Sequence, residues 1–197
     1  MEELDLQALV QRIVVWEDQQ AFRRLFAHFY DRLLFFAKSF VKSREQAEEI
    51  VQDVFVALWK KRDTLSSVVN LKVYLYVAVK NLSINYLNRS GSHYTDDLNH
   101  LDVSYTGGTA TPEELLVASE IRQAIVKAVS ELPPRCRLVY KLVKEDGLQY
   151  REVARILHIS PRTVENQVAA ALRKIALDIH IDFGTLVSRP SGLRRTK

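Results

Sequence analysis

Residues 147–175 read GLQYREVARILHISPRTVENQVAAALRKI. Two short helical patterns flank a break at His158-Ile159-Ser160. In the first, Tyr150, Val153, Ala154 and Leu157 recur at i, i+3, i+4, i+7, the spacing of a half-buried helix. The second opens with Ser160 as N-cap and Pro161 at the first helical position, where a missing N–H costs nothing. Its apolar stripe is Val164, Val168, Ala171, Leu172 and Ile175. The opposite face carries Arg162, Thr163, Asn166, Gln167, Ala170, Arg173 and Lys174. Arg and Lys bond guanine edges or phosphates, Asn and Gln pair with adenine edges, and a small Ala permits close approach to a groove floor. The pattern predicts a helix-turn-helix whose second helix enters the major groove. Periodicity alone leaves open an ordinary amphipathic hairpin with a solvated face.

Composition narrows the setting. The chain has 197 residues, 47% hydrophobic and 26% charged, which is globular rather than disordered. Six Gly, five Pro and few alternating runs predict a nearly all-α protein. One cysteine, Cys136, excludes an internal disulfide and a cysteine zinc site. The acidic N-terminal stretch lacks the basic region and apolar core of a secretory signal. No apolar run approaches the ~18–20 residues of a membrane span. The expected location is cytoplasmic. Net charge is +4, a mild excess that permits nucleic-acid binding without proving it.

Working back to the N-terminus, residues 5–18 predict an amphipathic helix with Leu6, Leu9, Val10, Ile13 and Val14 inward. The next, about 18–41, is dense in aromatics (Phe22, Phe26, Phe29, Tyr30, Phe35, Phe36, Phe40), which helical spacing assigns to core packing. Ser43 then offers an N-cap, with Gln46 completing a capping box. In the helix over about 44–62, Ala47, Ile50, Val51, Val54, Leu58 and Trp59 face the core. Glu45, Glu48, Glu49, Gln52 and Asp53 face outward. Residues 63–70 form a loop.

The helix over about 70–90 has Leu71, Tyr74, Leu75, Ala78, Leu82 and Leu87 inward. It also carries Lys72, Tyr76, Lys80, Asn81, Asn85, Tyr86 and Arg89, a mixture that suits stacking on unpaired bases and backbone contact. The alternative is snorkelling at a core edge. Periodicity is lost over 91–112, rich in Gly, Ser, Thr and Asp, which reads as a linker. Asp96, Asp97 and Asp102 make it acidic. A helix over 113–130 follows; Leu132-Pro133-Pro134 breaks it, and Pro134 opens another over Arg135–Lys144 with Leu138, Val139 and Leu142 inward. Past Ile175 the last helix extends a little, before a basic tail.

Two stretches resemble one family. AEEIVQDVFVALWKKRDTL with YLYVAVKNLSINYLNR resembles region 2 of the bacterial sigma-70 family; ELPPRCRLVYKLVKEDGLQYREVARILHISPRTVENQVAAALRKI resembles region 4. The layout, with nothing resembling regions 1.1 or 3, is similar to the extracytoplasmic-function (ECF, group IV) sigma factors. The resemblance implies an all-α fold of two small helical domains: residues 1–92 as region 2, 93–112 as linker, 113–180 as region 4, and 181–197 as a basic tail. It implies a polymerase sigma factor without catalysis or cofactor, directing promoter-specific initiation at −35 and −10 elements. Its partners would be promoter DNA, core RNA polymerase through the β′ clamp coiled coil and the β subunit, and an anti-sigma factor, commonly membrane-bound in the family. It assigns Glu49, Gln52, Asp53 and Val56 to core polymerase. Lys72, Tyr76, Lys80, Asn81, Asn85 and Arg89, with the loop at 63–70, go to the −10 element. Arg162, Thr163, Asn166, Gln167, Ala170, Arg173 and Lys174 go to the −35 element. The family usually has Gly where this chain has His158.

Two other readings compete. GLQYREVARILHISPRTVENQV also resembles the DNA-binding domain of LuxR-type regulators, but residues 1–110 lack the αβ alternation of a receiver domain. For an enzyme, His28, His93, His100, His158 and His180 show no ligand spacing. Cys136, flanked by Arg135 and Arg137, is the one candidate for a reactive thiol.

Overall fold

The computed structural model describes residues 3–41, 43–89 and 117–187. The linker and most of the basic tail lie outside the described residues. Within them the chain is helical throughout: α1 (Glu3–Trp16), α2 (Gln19–Lys38), α3 (Arg44–Lys60), a 3-10 segment (Arg62–Ser67), α4 (Leu71–Arg89), α5 (Val117–Ser130), α6 (Pro134–Tyr140) continuing into a π turn (Lys141–Glu145), α7 (Tyr150–Leu157) and α8 (Pro161–Val187).

The helix boundaries follow local chemistry. Asp18 caps α2, its carboxylate accepting from the backbone N–H of Gln20 at 2.8 Å and Ala21 at 3.0 Å. Those bonds, Ala21's first, and the Arg12 guanidinium hold the carboxyl below its usual pKa. Ser43 caps α3, accepting from Gln46 N–H at 3.3 Å. The Glu152 carboxylate accepts from Gln149 N–H at 2.7 Å at the start of α7. Ser160 accepts from Thr163 N–H at 3.0 Å at the start of α8. The loop expected over 63–70 instead winds into 3-10 turns across Arg62–Ser67, where the Thr64 and Ser67 hydroxyls donate to the carbonyls of Lys61 and Thr64.

α2 is the central post. Ala21, Leu25, Phe29, Leu33, Phe36 and Ala37 are buried along it, and α1, α3 and α4 all pack on it. Aromatic edges meet faces around it: Phe26 on Phe55 at 4.8 Å, Phe22 on Trp59 at 4.9 Å, Phe36 on Tyr76 at 5.0 Å. The helix-turn-helix joins this core: Leu138, Val139, Leu142, Leu148, Val153, Ile156, Leu157, Val164 and Val168 belong to the same buried cluster as the N-terminal helices. A smaller cluster of Ala128, Val129, Leu132, Ala171 and Ile175 knits α5 to α8.

Several faces differ from the sequence reading. Tyr150 and Leu172, expected inward, are 38% and 42% exposed; Ile156 takes the buried position instead. Phe55, left unassigned, is buried, and Trp59 is only half-buried. On α4 the tyrosines exchange roles: Tyr74 is 40% exposed and Tyr76 is fully buried, with Lys80 at 2%. α4 is apolar on more than one side, so helical period alone does not choose its inner face. α8 runs twelve residues beyond Ile175, to Val187.

His158 closes α7 with φ 55 and ψ 44, the left-handed conformation that favours glycine. A side chain there costs on the order of 1 kcal/mol. His158→Gly is therefore expected to raise the unfolding free energy by up to about 1 kcal/mol, and His158→Val to lower it, as read from urea midpoints.

Candidate nucleic-acid interface

The α8 face stands outward. Arg162 and Asn166 are exposed near the helix start, and Arg173 three turns on. Arg162 pairs with Glu165 at 2.8 Å, an exposed i, i+3 contact of the kind worth about 0–1 kcal/mol. Glu165 was not singled out from the sequence. Thr163 is half-buried and its hydroxyl lies 2.8 Å from that of Ser160. Gln167 is half-buried and accepts from the Cys136 thiol at 2.5 Å. Burial pushes that thiol's pKa up, against the smaller opposing effect of Arg135, so Cys136 is a packing residue and not an activated nucleophile. Ala170 is half-buried, and Lys174 ties α8 to Glu131, the residue after α5, at 3.4 Å while also holding Asp178 at 3.0 Å.

α4 is divided. Asn81, Asn85 and Arg89 are exposed along its C-terminal half, with Tyr74 and Asn88 on the same side. Lys72, Tyr76 and Lys80 are not presented to solvent in the same way. Tyr76 and Lys80 are buried, and Lys72 is half-buried. Tyr76 donates its hydroxyl to Asp146 Oδ2 at 2.7 Å, and Lys72 Nζ donates to the Asp146 carbonyl at 3.1 Å. Asn70 Nδ2 donates to Glu152 Oε1 at 2.5 Å. Arg32 of α2 completes the junction, with Nε 3.9 Å from Asp146 Oδ1. Burial raises the Asp146 pKa, while Lys141, Tyr76 and Arg32 pull it back. Burial likewise drives the Tyr76 hydroxyl well above its ordinary pKa, so it stays a donor. No sequence signal links α4 with residues 146–152; the partners are 70 to 82 positions apart.

On α3, Glu49, Gln52, Asp53 and Val56 all stand in solvent. Gln52 and Val56 form the edge of an apolar groove of about 500 Å³ lined by Phe22, Phe26, Phe55 and Trp59. The groove was missed because the α2 aromatics read as core, yet Phe22 and Phe26 are only half-buried.

The family model "Sigma-70 region 2" matches residues 25–93, and "Sigma-70, region 4" matches residues 122–175. Both occur in this order in one chain. This protein belongs to the sigma-70 family, in its ECF group. The ECF RNA polymerase sigma-E factor of Escherichia coli K12 is 26% identical over 181 residues, spanning 88% of this chain and 94% of that protein. The sigma-E factor of Haemophilus influenzae is 25% identical over 181 residues, spanning 88% and 95%. Among solved structures, the sigma factor RpoE with the anti-sigma factor NepR from Bartonella quintana superposes with a TM-score of 0.53 at 23% identity, over 82% of this chain and 98% of that one. CnrH with the cytosolic domain of CnrY gives 0.51 at 21%, over 90% and 99%. These two share the fold. An RNA polymerase sigma factor lends promoter specificity to the core enzyme, and the LuxR-type alternative falls away. Among the described residues, no helix is long and apolar enough to cross a membrane.

The sigma factor carries a titratable group beside the α4 junction. Burial, with smaller contributions from Arg32 and Lys72, lowers the His28 pKa from 6.5 to about 4. The folded state then binds fewer protons than the unfolded one between those values, so His28 withdraws stability as pH falls from 6.5 towards 4. His28→Gln should remove that share. The expected result is a smaller loss of urea midpoint between about pH 7 and about pH 5 than the parent shows.

Proposed function

We propose that α8 reads the −35 element as duplex DNA, that α4 and residues 63–70 engage the −10 element, and that the exposed side of α3 docks on core polymerase. The observation that carries the reading is the α8 face. Arg162, Asn166 and Arg173 lie exposed on a helix whose start is fixed by Ser160 and whose other side is anchored by buried Val164, Val168 and Ala171. Such a helix can enter a major groove without rearranging its support.

Residues 1–92 then act as region 2 and residues 113–180 as region 4. Glu49, Gln52, Asp53 and Val56 meet the β′ clamp coiled coil, with further contact to the β subunit. The groove beside them offers Phe22, Phe26 and Trp59 to an apolar anchor of that partner. Asn81, Asn85 and Arg89 take the −10 strand where it unpairs, joined by Lys72, Tyr76 and Lys80 once these become accessible. The protein performs no bond chemistry itself and works in the cytoplasm, where polymerase and promoter are. One solved relative was captured with an anti-sigma factor, and a similar inhibitor, membrane-bound or not, is the expected regulator here.

Reconstitution with core polymerase and run-off transcription across the genome, read by sequencing, tests the whole reading; a holoenzyme that starts no transcript refutes it. Arg173→Ala should weaken binding to the −35 duplex so identified by about tenfold and leave core affinity unchanged. Asp53→Ala should do the reverse, with core affinity lowered by several-fold. Loss of neither binding in either variant would overturn the residue assignments.

A further inference from the structure

We infer that Glu165 is a specificity-determining residue of the −35 contact, its carboxylate accepting from the N4 amino group of a cytosine in the major groove. The inference rests on the reading of α8 given above and deepens it, by naming a further residue and the base that residue selects.

The exposed stripe of α8 decides which side chains can reach base edges. Arg162, Glu165, Asn166, Ala169 and Arg173 are exposed at i, i+3, i+4, i+7 and i+11, opposite buried Val164, Val168, Ala171 and Ile175. Thr163, Gln167 and Ala170 lie on the flank and are half-buried. The Thr163 hydroxyl meets that of Ser160, and Gln167 accepts from Cys136. Glu165 is therefore better placed for a groove than three of the residues assigned to it from the sequence. Its side chain is 52% exposed. Ala169, one turn further on, is too short to hold a base pair away.

Chemistry narrows the partner. Glu165 Oε2 accepts from Arg162 at 2.8 Å, and Glu165 has no other bonding partner among the described residues. An ionised carboxylate is acceptor-only. On a helix seated in the groove it is repelled by the phosphates on either side, and a donor on a base edge is what offsets that repulsion. The major groove shows two such donors, cytosine N4 and adenine N6. Adenine sets its N7 acceptor beside N6, which opposes a carboxylate, whereas cytosine offers N4 without that neighbour. Arg162 stays useful in the same arrangement. Its guanidinium has five N–H donors, and those not facing Glu165 remain available to a guanine or a phosphate.

The test uses holoenzyme reconstituted from the full chain and core polymerase. It transcribes a promoter library randomised across the −35 element, each promoter being identified by a barcode in its transcript. The parent should favour cytosine at one position. Glu165→Ala should cut that preference by about tenfold and leave positions away from it as they are. Glu165→Gln should move the same position towards adenine, with which an amide pairs bidentately. Glu165 is exposed, so neither substitution disturbs packing. Cytosine preference retained in Glu165→Ala overturns the inference, whether total transcription stays level or rises uniformly from relieved phosphate repulsion. Flattening in Glu165→Ala with no move towards adenine in Glu165→Gln overturns it too, because Glu165 would then act only by orienting Arg162. A parent with no base preference anywhere in the element sinks the α8 reading itself. A parent with clear preferences that neither variant alters sinks the role of Glu165 alone.

Discussion

The fold depends on one constraint: short helices are marginal alone, so each must find an apolar surface, which α2 supplies for α1, α3 and α4 and α8 supplies for α5, α6 and α7. Isolated helices of α1's or α7's length are marginal in water. α2 lines up Leu25, Phe29, Leu33 and Phe36 at steps of three and four, giving α1, α3 and α4 a shared wall. Each such side chain contributes about 1.5–3 kcal/mol when fully buried. The same helix sends Arg32 towards Asp146, so the post that organises region 2 also reaches the contact with region 4. Loss of packing along α2 would therefore loosen both halves.

The junction between the halves obeys different physics from the core beneath it. Tyr76 packs its ring edge on Phe36 but spends its hydroxyl on a carboxylate. A buried carboxylate with three cationic neighbours in range (Lys141, Arg32, and Lys72 at its own carbonyl) is defined in geometry but gains little net energy, because the desolvation cost offsets the attraction. Removing one partner from such a network costs more than the network contributes when whole, since the remaining group is left buried and short of a bond. The contact thus fixes how the halves meet without making the meeting irreversible.

Much of this was legible in the sequence, and the limits were physical. The helix-turn-helix could be read because its signals are local: Ser160 and Pro161 start α8, and His158 tolerates the left-handed turn that separates the helices. The Ser43 cap was readable for the same reason. Periodicity failed on α4, where Leu71, Val73, Leu75, Tyr76 and Val79 are all buried, more of the circumference than one stripe covers. It therefore exchanged Tyr74 and Tyr76. It failed also at Phe22 and Phe26, which have the spacing of core residues but line a groove open to solvent. The bond from Tyr76 to Asp146 had no local signature at all. Buried polar pairs between distant segments become visible only when the packing that buries them is known.

The consequence is that the molecule's surfaces differ in what it takes to use them. On α8, Arg162 gives up only an exposed ion pair with Glu165, worth about 0–1 kcal/mol. On α3, Glu49, Gln52, Asp53 and Val56 stand exposed with the junction closed. On α4, Asn81, Asn85 and Arg89 are free to solvent, yet Lys72 and Tyr76 must first surrender buried bonds. A partner that bound only the open junction would lower the cost of exposing Lys72 and Tyr76. The same linkage works in reverse: a protein that grips the closed form strengthens the Tyr76–Asp146 contact without touching either residue.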